Sequence, residues 1–274
     1  MGIFRYNRRM RCPAPGLLVL LATLAPAQWL NYPTAGVPRT REGKPTLTAP
    51  APRTNAGKPD LSGMWQAANP LPCDGINRVC TDLAISPQFL NLGAGIPDGL
   101  PYLPWVRDRI RQKGPADDPY VRCLSPGGPR MHLLPTMKKL IQTPGLIVIL
   151  DEYNATFRQI FTDGRPLPED PQPNWNGYSS GRWEGDTLVV QSIGFHDEQW
   201  LDAAGSALTS SGKVIERFRR PNFGNLEIDV TVDDPKAYSR PWTVKVKQTV
   251  VVDTEMLDAN CLENEKDVQH LGRK

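Results

Sequence analysis

The sequence predicts a mainly β protein in which an antiparallel meander of about nine strands closes into a barrel. Proline (28 residues) and glycine (23 residues) are frequent, which favours short elements joined by turns. After residue 138, β-branched and other apolar residues alternate with polar ones in short segments that tight turns separate. A two-sheet sandwich is the alternative architecture. A loop-rich insertion and one or two short helices complete the expected fold.

The N-terminus has the pattern of a signal peptide, residues 1–27. Arginines between Arg5 and Arg11 precede an apolar run at 17–24 and a small-residue cleavage motif that ends at Ala27. We therefore expect a bacterial protein that is exported to the periplasm or secreted, by the general or the twin-arginine route. The apolar run is shorter than the roughly 20 residues of a membrane helix, so no stable membrane insertion is expected after signal removal.

Removal of the signal changes the charge of the protein. The formal net charge of the full chain is +3, and the loss of four arginines leaves −1. A nearly neutral domain lacks the basic surface that nucleic acid attracts, so no nucleic-acid partner is expected. The composition leaves the oligomeric state open.

The remaining chain divides into a leader and one domain. Residues 28–58 are rich in Pro, Thr, Ala, Lys and Arg without periodic apolar residues, which predicts a flexible leader. Residues 59–274 are expected to form a single β-barrel-like domain. Prolines recur throughout 66–136, so this segment is predicted to cover the barrel as a lid or second layer. One helix is expected at 104–113, between a proline and Gly114. A second short helix is expected at 262–271.

A hairpin is predicted within residues 177–200. The pair Gly185-Asp186 is typical of a two-residue turn and places Trp183 opposite Leu188. Its second strand leads into His196 and Trp200, so the polar and aromatic residues at its exit are expected at the rim of the sheet.

Alternation also predicts the register of two further strand pairs. All apolar residues of the last two long strands share one face if Val232 lies opposite Trp242. A two-residue turn at 154–155 places Asp151 opposite Arg158, as a cross-strand ion pair.

The cysteines predict disulfides. Cys12 belongs to the signal, and the four cysteines that remain are an even number in an exported chain. Their spacing favours the pairs Cys73–Cys80 and Cys123–Cys261 over the other connectivities. A zinc site is the alternative, but no Cys-x-x-Cys pair occurs.

Several motifs are distributed over residues 58–274: Asp60-Leu-Ser-Gly-Met-Trp65, Phe161-Thr-Asp-Gly-Arg-Pro166, Gly181-Arg-Trp-Glu-Gly-Asp-Thr-Leu-Val-Val190, Glu216-Arg-Phe-Arg-Arg220 and Asp233-Asp-Pro-Lys-Ala-Tyr238. Together they resemble a family of exported bacterial proteins of unknown function. The resemblance implies a lipocalin-like β-barrel and identifies no catalytic residue. Relatives often carry Asn where this chain has His196, and histidine-containing patterns where it has 206–211, so a shared histidine-dependent reaction is not expected.

His196 and Glu216 are the candidate catalytic residues. The unperturbed pKa of histidine lies nearest neutrality, and Asp197 or Asp202 could orient the His196 ring. Glu216 alternates with Phe218 and is expected to point inward, where a carboxylate is costly unless paired. A rim histidine bonded to a loop carbonyl and a structural ion pair of Glu216 with Arg182 or Arg165 are the respective alternatives.

Aromatic and cationic side chains near the hairpin predict a ligand site at the barrel mouth, lined by Arg130, Trp175, Tyr178, Arg182 and Trp200. The preferred function is therefore that of an exported protein that binds a partly apolar or glycosidic small molecule. A metal-independent hydrolase, lyase or isomerase that uses His196 or Glu216 is the first alternative. A structural or partner-binding envelope protein is the second.

Neither a cofactor nor a metal is expected. The chain contains no Gly-x-Gly-x-x-Gly sequence and no P-loop. The three histidines, His132, His196 and His270, lack the spacing of a metal site. No Gly-x-Ser-x-Gly motif of serine hydrolases occurs either.

Overall fold

A computed structural model describes residues 32–68 and 86–261. The predicted signal peptide, the predicted Cys73–Cys80 pair and the short helix expected at 262–271 lie outside these residues. No helix in the described ranges is long and apolar enough to cross a membrane.

Nine strands of the described chain close into a barrel, as predicted. In chain order they are β1 (Gly63–Ala67), β2 (Lys138–Thr143), β3 (Leu146–Asp151), β4 (Phe157–Phe161), β5 (Tyr178–Glu184), β6 (Thr187–Ile193), β9 (Lys213–Asn222), β10 (Asn225–Asp233) and β11 (Trp242–Val251), with β7 (Gln199–Trp200) and β8 (Ala207–Leu208) as a separate ribbon. Around the barrel the order is β1-β11-β10-β9-β6-β5-β4-β3-β2, and β2 pairs with β1 to close it.

Alternation places the core inside the barrel. On β10, Leu226, Ile228 and Val230 are buried, and the residues between them face outward. The predicted register is confirmed, because Val232 lies opposite Trp242. Most inward-facing side chains of these two strands therefore contribute to one continuous apolar core.

The predicted hairpin is also confirmed as β5 and β6. Trp183 lies opposite Leu188, and Gly185 in the turn has φ of +61°. Glycine adopts such a positive φ without steric penalty, which suits a tight hairpin.

The predicted register between β3 and β4 is wrong by two residues. Arg158 lies opposite Ile149, and the Asp151 N–H donates to the Thr156 carbonyl across a longer loop (2.8 Å). Asn154 and Ala155 both have positive φ, which accommodates this wider turn. A shift of two keeps every side chain on its predicted face but separates Asp151 from Arg158.

The barrel differs from a wholly antiparallel meander at one seam. β4 and β5 run parallel and share only the pairs Ile160–Ser179 and Phe161–Ser180. The connection from residue 162 to 177 returns to the starting end of β4, which imposes the parallel direction. Beyond the two shared pairs, the beginnings of the two strands line opposite walls of a cleft.

The cover, residues 86–136, packs over the end of the barrel at which β4, β5 and β9 begin. The predicted helix is present as α2 (Pro104–Gln112), after the short α1 (Pro87–Leu90). Two backbone hydrogen bonds of 2.9 Å join the cover to the β10–β11 loop. The Leu103 N–H donates to the Ala237 carbonyl, and the Ser239 N–H donates to the Pro101 carbonyl. The apolar side chains of the cover complete the core, among them Leu92, Leu100, Val106, Met131 and Leu133. This end of the barrel is therefore covered, not open.

The leader contains a repeat that the sequence analysis missed. Module 1 (Pro38-Arg-Thr-Arg-Glu-Gly-Lys-Pro-Thr-Leu47) and module 2 (Pro52-Arg-Thr-Asn-Ala-Gly-Lys-Pro-Asp-Leu61) have the same pattern. Their geometry repeats as well: Arg39 donates to the Gly43 carbonyl at 2.9 Å, and Arg53 donates to the Gly57 carbonyl at 2.6 Å. Each module is a compact turn closed by its own arginine.

The two modules are attached to the barrel, whereas the sequence predicted a flexible leader at 28–58. Arg39 forms an ion pair with Asp253 after β11, and Arg53 pairs with Asp186 in the β5–β6 turn (2.6 Å). The β9–β10 turn donates two backbone hydrogen bonds of 2.8 Å to residues 47 and 49. The two arginines thus connect the leader to the barrel end opposite the cover.

Candidate functional site

A network of buried polar side chains lies in the barrel interior. Glu216 on β9 accepts hydrogen bonds from His132 Nε2 (2.9 Å) and from Arg158 Nη1 (3.0 Å), and its second oxygen pairs with Arg158 Nη2. The guanidinium of Arg158 also donates to Ser179 Oγ (3.2 Å) and Ser192 Oγ (2.9 Å). All five side chains are buried. The network joins strands β4, β5, β6 and β9 to the cover.

Local structure explains how each group enters the interior. Glu216 alternates with Val214 and Phe218 on the inner face of β9, as predicted. Arg158 shares the inner face of β4 with Ile160. His132 ends a buried 3₁₀ turn, Gly128–His132, in the cover. Its backbone carbonyl also accepts a hydrogen bond from Gln248 on β11 (2.7 Å), which fixes the turn against the barrel.

The charges in this network are strongly perturbed. Burial alone would raise the pKa of Glu216, but the charge of Arg158 and hydrogen bonds from His132 and Arg158 outweigh it and lower the pKa to about 2. Burial lowers the pKa of His132 despite the opposing effect of Glu216. At neutral pH, Glu216 is therefore ionised and His132 is neutral, with Nε2–H as the donor. The partners of Glu216 are not the predicted Arg182 or Arg165.

A second buried pair lies beside it. Lys138 and Asp151 are opposite each other on β2 and β3, and Lys138 Nζ donates to Gln248 Oε1 (2.9 Å). Burial lowers the pKa of Lys138 to about 8, against the effect of Asp151. Burial raises the pKa of Asp151 to about 6, against the effect of Lys138. The residue that faces Asp151 is thus a lysine, where Arg158 was predicted.

The cleft between β4 and β5 has a volume of about 910 Å³. Its lining includes Phe157, which is 58% exposed, and also the buried Arg158 and Ser179. The cleft therefore extends from the surface to the interior network. Trp175 and Tyr178, two of the predicted ligand-binding residues, lie on its wall, together with Phe161, Pro166, Leu167 and Pro168.

The cations around the cleft are already paired. Arg158 is neutralised by Glu216, and Arg165 forms a bidentate contact with Asp163 (2.6–3.0 Å). The guanidinium of Arg165 also lies 3.8 Å from the centroid of the Phe161 ring. The cleft is therefore lined by aromatic rings, and the charges of its two arginines are balanced by their carboxylate partners.

His196 supports the cleft from behind Trp175. The two rings are stacked, with centroids 5.1 Å apart and an interplanar angle of 5°. The backbone N–H of His196 donates to the Asn174 carbonyl (3.1 Å). The neighbouring Asp197 accepts a hydrogen bond from the Ser210 N–H (2.7 Å). Within the described part of the chain, the Nδ1 atom of His196 has no hydrogen-bond partner. His196 contacts the aromatic wall and does not itself line the cleft.

The other predicted ligand residues are not at the cleft. Arg130 is buried and bidentate with Asp118 (2.5 and 2.7 Å). Arg182 is exposed and pairs with Glu184 (2.8 Å). Trp200 is buried in the β7–β8 ribbon. The residues predicted to line one barrel mouth therefore lie in four different places. Trp175 and Tyr178 line the cleft, Arg130 belongs to a buried ion pair, Arg182 to a surface ion pair, and Trp200 to the core.

The predicted Cys123–Cys261 disulfide is present, with Cα atoms 5.4 Å apart. It joins the cover to the last described residue, Cys261, near Tyr153, whose hydroxyl lies 3.0 Å from Cys261 Sγ. In the ranges 32–68 and 86–261, no three His, Cys, Asp or Glu side chains converge as metal ligands would.

Sequence reasoning missed Arg158, Asn176 and Phe157 as parts of the site. Arg158 could have been found, because it shares a face with Ile160 and so had to point inward on any correct register. Asn176 and Phe157 become neighbours only through the parallel seam, and no local pattern in the sequence predicts that seam.

Comparison with protein-family models, with curated proteins and with solved structures finds no match to this chain. The family resemblance drawn from the motifs within residues 58–274 therefore stays a prediction. The geometry of the cleft and of the interior network is the basis for assigning a function.

Proposed function

We propose that the protein is exported and binds a small, partly apolar molecule in the cleft between β4 and β5. The observation that carries this proposal is the cleft itself, whose volume of about 910 Å³ falls in the usual range of ligand sites. Trp175, Tyr178 and Phe157 offer flat apolar surface, as aromatic binding sites do. Export is supported by the Cys123–Cys261 disulfide, since such bonds persist in oxidising compartments.

The site differs from the predicted barrel mouth because the cover occupies that end of the barrel. A ligand instead approaches from the side, where two strands separate. The role of the buried network in this site is structural. Arg158 and Ser179 form the inner end of the cleft, and Glu216 and Ser192 hold them in place.

The enzymatic alternative has less support. A carboxylate with a pKa of about 2 is a weak base at neutral pH, and Glu216 is committed to Arg158 and His132. His196 lies behind Trp175, so the two candidate catalytic groups do not share the cleft. The geometry favours binding over proton transfer by this pair.

The test is a thermal-shift screen of uncharged aromatic molecules and glycosides, followed by calorimetric titration of the hits. Trp175→Ala removes the largest aromatic ring of the cleft and is expected to weaken binding by about tenfold or more. Trp105→Ala is the matched control, because Trp105 is exposed on α2 and does not line the cleft. The affinity of the Trp105→Ala variant for each hit should equal that of the unmodified protein.

Phe157→Ser provides a second variant that does not threaten folding, since this side chain is mostly exposed. We expect it to weaken binding as well, in the same direction as Trp175→Ala. Hits whose affinity is unchanged in both cleft variants would place the ligand elsewhere and refute the proposal.

A further inference from the structure

The lining of the cleft alternates aromatic rings with uncharged polar side chains. On β4, Phe157, Gln159 and Phe161 occupy every second position and share the outer face of the strand, while the residues between them are buried. On β5, Tyr178 and Ser180 share the outer face in the same way. Each strand therefore presents to the cleft an aromatic ring followed by an uncharged polar group.

The polar groups of this lining are accessible and have no partner in the described chain. The Trp175 indole N–H and the Tyr178 hydroxyl form no hydrogen bond with any residue that the structure describes, and neither atom is buried. Gln159 is exposed, and its side-chain amide also lacks a partner among these residues. Together they offer an N–H donor, a hydroxyl, and an amide that both donates and accepts.

The aromatic rings supply the apolar part of the site. Phe157 is mostly exposed, and Trp175 has one face stacked on His196, so a ligand in the cleft meets its opposite face or its edge. An aromatic face carries partial negative charge and attracts the C–H groups on the flat side of a sugar ring. The hydroxyls at the edge of the sugar then match the accessible polar groups, which a purely apolar ligand would cover without bonding to them.

The charges of the lining disfavour anions. Arg158 and Arg165 are balanced by their carboxylate partners. Glu169 is exposed and forms no ion pair with any described residue. A negatively charged ligand is repelled by this carboxylate, whereas a hydroxyl group can donate a hydrogen bond to it. The lining therefore favours a neutral polyol over an acid or a phosphate ester.

We propose that the cleft binds a neutral saccharide, with a ring face that packs on Phe157 or Trp175. Its hydroxyls bond to Gln159, Tyr178 and Glu169. This inference rests on the proposed function, because it uses the same cleft and names the class of ligand. It goes further in requiring hydroxyl groups on the ligand and in disfavouring anionic sugars.

The experiment is a calorimetric titration of the mature protein with cellotriose, maltotriose and mannotriose, which are neutral and contain no aromatic group. Each trisaccharide that binds is then compared with the same sugar oxidised to carboxylates at its primary hydroxyl groups. We expect at least one neutral trisaccharide to bind. Its oxidised form should bind about threefold or more weakly at low salt, because it faces the charge of Glu169.

Protein variants give the second arm. Tyr178→Phe keeps the ring and removes the hydroxyl, and Gln159→Ala removes the amide at an exposed position. Each should weaken binding of the neutral trisaccharide by about threefold to tenfold and leave binding of an uncharged aromatic hit nearly unchanged. Glu169→Gln should reduce the difference between the neutral and the oxidised sugar. Gln112→Ala is the matched control and should change no affinity, because Gln112 is exposed on α2 and does not line the cleft.

The outcomes separate this inference from the proposed function. Aromatic molecules that bind in a Trp175-dependent manner, without binding of any trisaccharide, would overturn the saccharide inference and leave the proposed function standing. Sugar binding that is unchanged in both Tyr178→Phe and Gln159→Ala would also overturn the inference, as would oxidised sugars that bind as tightly as neutral ones. Failure of sugars and aromatic molecules alike to bind at the cleft would overturn both proposals.

Discussion

Glu216 is an ionised carboxylate inside the barrel. Removal of a carboxylate from water costs several kcal/mol, and this cost is offset only where charge and hydrogen bonds compensate it. Arg158 supplies the charge, and His132 supplies a neutral N–H donor. The two serines accept further hydrogen bonds from the guanidinium. Loss of any one member leaves the others buried without compensation.

Replacement of Glu216 tests this network. At pH 7 we expect Glu216→Gln to lower the free energy of unfolding by about 3–5 kcal/mol, because it leaves the buried Arg158 without a counter-charge. The lowered pKa of Glu216 stabilises the folded protein above pH 4.5, and this contribution, about 3 kcal/mol, is lost as the pH falls towards 2. The difference between the two proteins should therefore shrink below pH 4.5. Urea unfolding at pH 7 and at pH 3 measures it.

Glu227→Gln is the matched control for this substitution. Glu227 lies on the outer face of the barrel and pairs with Arg219 (2.6 Å), where solvent screens the ion pair. Its loss should cost less than about 1 kcal/mol. A cost for Glu216→Gln that is as small as this, or that does not depend on pH, would contradict the assigned network.

At the level of elements, β4 decides where the site lies. Its inner face brings Arg158 to Glu216, and its outer face leaves Phe157 at the surface. Because β5 runs parallel to it, the two strands cannot be joined by a tight turn, and the long connection of residues 162–177 borders the cleft. The seam and the candidate site therefore have the same origin in the topology.

The two leader modules provide a second test at this level. Both arginines close their own module and reach an aspartate on the barrel, but the Arg39–Asp253 pair is about a quarter exposed and the Arg53–Asp186 pair more than half. We expect Arg39→Ala to lower the melting temperature by about 2–4 °C, and Arg53→Ala to lower it less, because solvent screens the more exposed pair. Differential scanning calorimetry measures both.

Lysine substitutions separate charge from shape in the modules. Arg39→Lys keeps the charge but loses the planar fork that joins Gly43 and Asp253, so it should recover only part of the loss. If Arg53→Ala were the more damaging change, the modules would not attach to the barrel as the exposures imply.

At the scale of the whole molecule, three attachments surround the barrel. The leader modules lie at one end, the cover lies at the other, and the disulfide ties the cover to the end of the described chain. A bond between residues 138 positions apart constrains the unfolded chain strongly. The Tyr153 hydroxyl, which also donates to the Tyr120 carbonyl (2.6 Å), packs this junction against the barrel.

Removal of the disulfide should destabilise the whole barrel. We expect the double variant Cys123→Ser, Cys261→Ser to lose about 2–5 kcal/mol of unfolding free energy, measured by urea denaturation. Thiol titration of the unmodified protein recovered from the periplasm checks that the bond has formed. Reduced Cys123 and Cys261 in that protein would contradict both the disulfide and the export proposal.

Much of the barrel follows from short-range pattern. Alternation and turn chemistry were enough to predict the β5–β6 hairpin, the β10–β11 register and the inward position of Glu216, because each depends on neighbours within one hairpin or one strand. Helix α2 followed from its proline start, and the Cys123–Cys261 pair from spacing and export. The leader repeat is equally apparent in the sequence, because Pro-Arg-Thr and Gly-Lys-Pro recur at the same spacing in both modules.

The sequence by itself thus determined that the chain is mainly β, which faces of its strands are buried, and that a carboxylate lies inside. Only the tertiary structure decided that Arg158 and His132 accompany Glu216, that β4 and β5 run parallel, and that the cleft opens at their seam. These features join residues that are distant in sequence, and the period-two pattern specifies a face without specifying the partner across the barrel. The closure of the barrel and the path of the connection 162–177 determine which residues meet across the barrel.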